Sequence, residues 1–216
     1  MQFAYDGPVQ KPQEIDDIPA RSELTDTSRR MLSGAMLLFA LVGLVASVVL
    51  SIDALVLAGN PDAELACSIN SVFDCATVGA SEQSKIFGIP NAFLGMLLQG
   101  ALVAIAVALL AGAKMPRWYM AALNGLLVVS ALYGHWLLYQ STFVIRALCL
   151  WCLTLLVCTV LTLYVVTKWN ILDGNLFLKG DADARARSFV RAGWLEIALI
   201  AWFALIVVGE VAAWLL

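Results

Sequence analysis

The chain has 216 residues, 62% hydrophobic and 13% charged, with a mean hydropathy of +0.87 and a formal net charge of −3. Ordinary globular domains are roughly 45–50% apolar and about 25% charged, so the composition excludes a soluble domain and indicates an integral membrane protein. The lysines and arginines form no aromatic-studded basic patch, which argues against a nucleic-acid partner.

Residues 1–30 are polar, contain Pro8, Pro12 and Pro19 among several acids, and read as a disordered tail. They are no signal peptide, because the apolar run behind Arg29 and Arg30 is too long and lacks a small-residue cleavage site. That first run covers about 31–57, and a loop over 58–89 follows it. Further apolar runs cover about 90–112, 118–140, 147–168 and 193–216, with a linker over 169–192 before the last. A helix needs ~20 residues to cross the hydrocarbon layer, and each run is at least that long. The runs are continuous rather than alternating, which favours helices over barrel strands. The expected fold is an all-α membrane protein: a four-helix bundle over 31–168, plus a fifth transmembrane helix.

Basic residues orient these spans. Eleven of the thirteen lie in the tail, in the link between runs two and three, or around the 169–192 linker; only Lys85 and Arg146 fall on the other side. Positive charge stays cytoplasmic, so the N-terminus is expected inside and the C-terminus outside. Glu196 and Glu210 in the fifth run lie near its ends, where snorkelling to water is the economical expectation.

Four of the five cysteines then fall on the outer side, where disulfides form and persist. Cys67 and Cys75 lie in the first loop, and Cys149 and Cys152 head run four in "RALCLWCLTLLV". Cys158, deeper in that run, reads as a small buried hydrophobe. A four-thiolate zinc site would need two close pairs, and Cys67-x7-Cys75 does not fit. His135 reads as a packed residue rather than a ligand. Static disulfides could brace the loop, but a bond closing Cys-x-x-Cys removes little chain entropy. At a helix N-terminus the dipole and free amides favour a thiolate, which suits a redox pair. Cys152 is one turn deeper than Cys149, so Cys149 is expected to be the accessible sulfur. The long loop holds Ile69, Val72, Phe73, Ile86 and Phe87, and is expected to fold back over the helix ends as a mobile, water-facing shuttle.

These features together resemble the vitamin K epoxide reductase family, in particular its bacterial members that regenerate disulfide-forming proteins. The matching residues are Cys67-x7-Cys75, Ser81 six residues on, "FGIPNAFLG" at the entry to run two, and Cys149-x-x-Cys152 at run four. The pair order is the reverse of the DsbB type. The resemblance implies that Cys149 and Cys152 are the active-site pair, with Cys152 facing a quinone of the menaquinone or ubiquinone type. It implies that Cys67 meets the external partner, that Cys75 attacks Cys149, and that Ser81 lies near the quinone ring. Phe87, Trp151 and Trp136 are candidate lining residues.

The sequence departs from the vertebrate pattern at Leu156, where those enzymes have a tyrosine, and has no secure counterpart of their quinone-binding asparagine. Reduction of a quinone is therefore expected rather than of vitamin K epoxide. Many bacterial members carry a thioredoxin-like domain after a fifth span. This chain ends at Leu216, which implies a stand-alone form served by a separate, extracytoplasmic thioredoxin-fold (DsbA-like) protein at a bacterial plasma membrane. A non-enzymatic scaffold with bracing disulfides and a metal-handling protein are the alternatives.

Overall fold

The computed structural model describes residues 23–215 apart from Phe87. Four long helices form a bundle: α1 (Asp26–Gly59), α3 (Asn91–Leu110), α4 (Arg117–Tyr139) and α5 (Leu150–Leu172). A short helix, α2 (Cys75–Ala80), sits in the first loop, and α6 (Asp181–Arg191) precedes the last helix, α7 (Trp194–Leu215). Five of these helices are long and apolar enough to cross a membrane, so the all-α membrane architecture stands. Two boundaries move. Thr25 caps α1 by accepting from the Ser28 amide at 3.2 Å, so the helix starts inside the expected tail. The expected linker over 169–192 contains the end of α5 and the whole of α6. Tail residues 1–22 lie outside the described residues.

Within lipid, helices gain little from the hydrophobic effect, so they associate through close packing and hydrogen bonds. α1 packs against α3 and α5. Gly43, Ala46 and Ser47 are buried on its face. A side chain at Gly43 would meet Gln99 Cδ at 2.7 Å, so any larger residue there would force the buried glutamine to shift. α4 is tied to α5 by Asn170, which is fully buried and donates to the Met120 carbonyl at 2.8 Å. At the basic end, Arg29 pairs with Asp173, Arg117 donates to the Gly174 carbonyl, and Arg187 bridges Asp183, Glu23 and the Leu172 carbonyl. These ties hold α6 under the bundle.

α7 buries none of its residues in the chain. It is held by polar contacts at several depths. Glu196 pairs with Lys168 and accepts from Tyr164 Oη at 2.8 Å. Trp202 Nε1 donates to His135 Nε2 at 2.6 Å, while His135 Nδ1 meets the Ala131 carbonyl at 2.6 Å. Thr142 Oγ1 lies 2.9 and 3.0 Å from the two Glu210 carboxylate oxygens. Both glutamates are thus engaged by partners on neighbouring helical segments, an addition to the expectation of snorkelling. The reason is that each finds a hydrogen-bond donor on a neighbouring helical segment.

Candidate redox site

The loop between α1 and α3 is built by side chains capping backbone. Asn70 Oδ1 accepts from the Val72 and Phe73 amides at 2.9 and 2.8 Å, folding residues 69–73 into a tight turn. Two backbone bonds then stitch this turn to the entry of α5: Leu148 N to Val72 O at 2.7 Å and Asp74 N to Leu148 O at 3.0 Å. The stitch sets the residue before Cys75 against the residue before Cys149. Asp74 caps α2, accepting from the Ala76 and Thr77 amides, and also takes hydrogen bonds from Ser68 Oγ and Thr77 Oγ1, each at 2.6 Å. Bonds from Ser68 and then Thr77 hold its carboxyl below the usual aspartate range, against the opposing effect of burial. The neighbours of both loop cysteines are thereby buckled together.

Cys67 and Cys75 form a disulfide with Cα atoms 5.6 Å apart. With Leu57, Leu65 and Cys149 they make one buried cluster, against which Trp151 packs. The loop does fold back over the helix ends, but its disulfide is 5% and 3% exposed at the two cysteines, not water-facing. The Leu57 and Leu65 side chains that cover it are the physical cause.

Cys149 is the N-cap of α5, and its sulfur accepts the Cys152 amide at 3.4 Å. The Cys152 thiol beside it and the amides of Cys152 and Trp151 draw the Cys149 thiol below its ordinary pKa, against burial and the Asp53 charge. The largest of these effects is the neighbouring thiol, with the helix-end amides adding to it. The expected accessibility of Cys149 does not hold: the residue is 2% exposed, and Cys152 is the open sulfur. The Cys149 sulfur turns back under the loop, so depth along the helix does not decide which thiol is reachable. Cys158 is buried, as expected.

Cys152 opens on a cavity of about 1150 Å³ enclosed by α1, the loop, α3, α4 and α5. Cys75, Cys149, Asp53, Ser81, Asn91, Gln99 and Tyr133 also line it, in otherwise mostly apolar walls. Asn91 Nδ2 donates to the Gln83 carbonyl at 2.8 Å, which leaves Asn91 Oδ1 buried without a partner among the described residues; Gln99 Oε1 is in the same position. A flat apolar ring bearing two oxygens fits this wall. Tyr133 and Cys152 can donate to carbonyl oxygens, and the orphaned amide oxygens can accept from hydroxyls.

Of the sequence candidates, Ser81 lines the cavity; Ser84 and Asn91, which the sequence did not establish as site residues, line it too. Phe87 lies outside the described residues. Trp151 flanks a second recess beside Cys67, and Trp136 stacks on Tyr133 with ring centroids 5.7 Å apart; neither lines the main cavity. Asp53, Gln99 and Tyr133 were not singled out from the sequence. An acid within an apolar run was a usable signal for Asp53. His135 is packed against Trp202 and accepts from its Nε1.

No curated protein matches the chain. The sequence pattern of the vitamin K epoxide reductase family matches residues 35–167, which contain α3, α4, both cysteine pairs and most of α1 and α5. The chain therefore belongs to the vitamin K epoxide reductase family of membrane thiol oxidoreductases.

Proposed function

We propose that the protein oxidises an extracytoplasmic thioredoxin-fold dithiol and passes the electrons through Cys67/Cys75 and then Cys149/Cys152 to a membrane quinone. The observation that carries this reading is the two-sided setting of the inner pair. Cys149 is buried in one cluster with the Cys67–Cys75 disulfide, while Cys152 opens on the apolar cavity. The excess of basic residues at the opposite end supports an outward-facing cysteine end at a bacterial plasma membrane, with the N-terminus cytoplasmic.

Each transfer is a thiol–disulfide exchange. The partner's thiolate attacks Cys67, releasing Cys75 as a thiolate, and the partner's second thiol closes its own disulfide. Cys75 attacks Cys149 in the Cys149–Cys152 disulfide, which releases Cys152. Cys67 then displaces Cys149 and restores the loop disulfide. A bound quinone supplies the two-electron acceptor. Ser81, Asn91 and Tyr133 would hold its oxygens, and the depressed Cys149 thiol is suited to close the disulfide on Cys152.

The test is turnover of the purified chain with a reduced thioredoxin-fold protein and either a naphthoquinone or a benzoquinone. One disulfide formed per quinone consumed is expected, abolished by Cys149→Ala. Disulfide formation without quinone consumption would refute the reading.

A further inference from the structure

α1 carries one acid in its apolar stretch, and the bundle turns it inward. Asp53 is the one carboxylate among the described residues that line the cavity. Among the described residues, no side chain or backbone group forms a hydrogen bond or ion pair with it. Cys149 and Cys152 line the same cavity. An ionisable residue inside a span is costly and is usually retained for function, and here it lines the same cavity as the reacting pair. The other titratable groups on the wall are Lys85 from the loop, Tyr133 from α4, and the two thiols of α5; α3 contributes only the neutral amides of Asn91 and Gln99.

Dithiol oxidation releases two protons along with two electrons, and the mostly apolar wall gives those protons few carriers. We propose that Asp53 is the proton relay between the Cys149–Cys152 thiols and the acceptor's oxygens, an inference that rests on the cavity being the quinone site. Two S–H bonds break, one S–S bond forms, and two electrons and two protons pass to the quinone, which leaves as the quinol. The carboxylate takes a thiol proton, returns it to an acceptor oxygen, and ends the cycle as it began. Neither Ser81 nor Asn91 can do this, because neither gains and loses a proton near neutral pH.

The experiment uses the full chain in detergent, freed of quinone, with the inner pair reduced and the loop pair joined. Alkylation of the inner pair by iodoacetamide is followed across pH, for wild type, Asp53→Asn and Asp53→Glu. Removing a negative charge from the cavity the thiols share eases their ionisation, so Asp53→Asn should lower the alkylation midpoint by about one pH unit. Asp53→Glu, which keeps the acid, should stay near wild type and shows that the site tolerates substitution. With quinone added, single-turnover oxidation should slow at least about tenfold in Asp53→Asn, as expected for loss of general acid–base help, and recover in Asp53→Glu. An unmoved midpoint overturns the proposal, as does a moved midpoint with undiminished turnover. A wild type that reduces no quinone overturns the reading of the reaction itself, whereas a wild type and Asp53→Asn that are equally fast overturn the relay alone.

Discussion

Asp74→Ala tests the way the loop holds Cys75 over Cys149. The substitution leaves the Asp74 backbone bond to Leu148 intact. It removes four accepted bonds: Ser68 Oγ and Thr77 Oγ1 at 2.6 Å, and the Ala76 and Thr77 amides at 3.1 and 3.4 Å. Losing such a cap costs ~0.5–2 kcal/mol, and hydrogen bonds to a charged group contribute about 1.5–3 kcal/mol each. Because the carboxylate is partly exposed and its bonds overlap, the net local cost is set near ~2 kcal/mol. Cys67 and Cys75 are buried, so a small reductant reaches them only when the loop opens. At 1.4 kcal/mol per decade, the open fraction should rise roughly 25-fold. A phosphine reductant reads this directly as the rate of Cys67–Cys75 cleavage. Asp74→Asn keeps a good cap and should stay close to wild type.

The pH dependence follows from the same bonds. The folded-state pKa of Asp74 is depressed, so the carboxylate contributes its stability above the unfolded value of about 3.9. That contribution is lost as pH falls through the folded value. Wild-type cleavage should therefore be flat from neutrality down to about pH 5 and approach the Asp74→Ala rate only in stronger acid. Equal cleavage rates for wild type and Asp74→Ala at pH 7 would refute the buckle.

Gly43→Ala should destabilise the bundle by ~1–3 kcal/mol through overpacking against Gln99; thermal unfolding in detergent measures it, and adding Gln99→Ala should restore much of the loss. Trp202→Phe removes one polar tie of α7 to His135, worth about 0.6–1 kcal/mol in a membrane. It should lower the melting temperature by about 2–4 °C without changing quinone turnover. Cys158→Ala, at a buried position outside the main cavity, should leave turnover unchanged and cost at most about 1 kcal/mol of stability.

The spans were legible because each is an uninterrupted apolar run, and the two cysteine pairs because spacing and order survive in one dimension. What the sequence did not carry was rotation. Which sulfur of Cys149-x-x-Cys152 is open depends on how α5 turns beneath the folded loop, and that turn is set by the Val72–Leu148–Asp74 stitch, a contact between distant residues. The same holds for α7, where Glu196, Trp202 and Glu210 each find a partner on another helix that no local pattern announces. Trp151 and Trp136 were attractive lining candidates as large aromatics near the site, but their helix faces turn them away from the cavity. Asp53 stood in plain view as an acid inside an apolar run, yet only the closed bundle shows that it lines the same cavity as the thiols.

The electron path from the loop pair to the inner pair is tested most directly by trapping its intermediate. With Cys152→Ala, the Cys149 thiolate can attack Cys75 in the loop disulfide, and no Cys152 thiol remains to resolve the product. Peptide mass mapping of the unreduced variant should find a Cys75–Cys149 disulfide and a free Cys67, whereas Cys149→Ala should retain Cys67–Cys75 and leave Cys152 free. A Cys75–Cys152 bond in Cys149→Ala, with no Cys75–Cys149 bond in Cys152→Ala, would contradict the path.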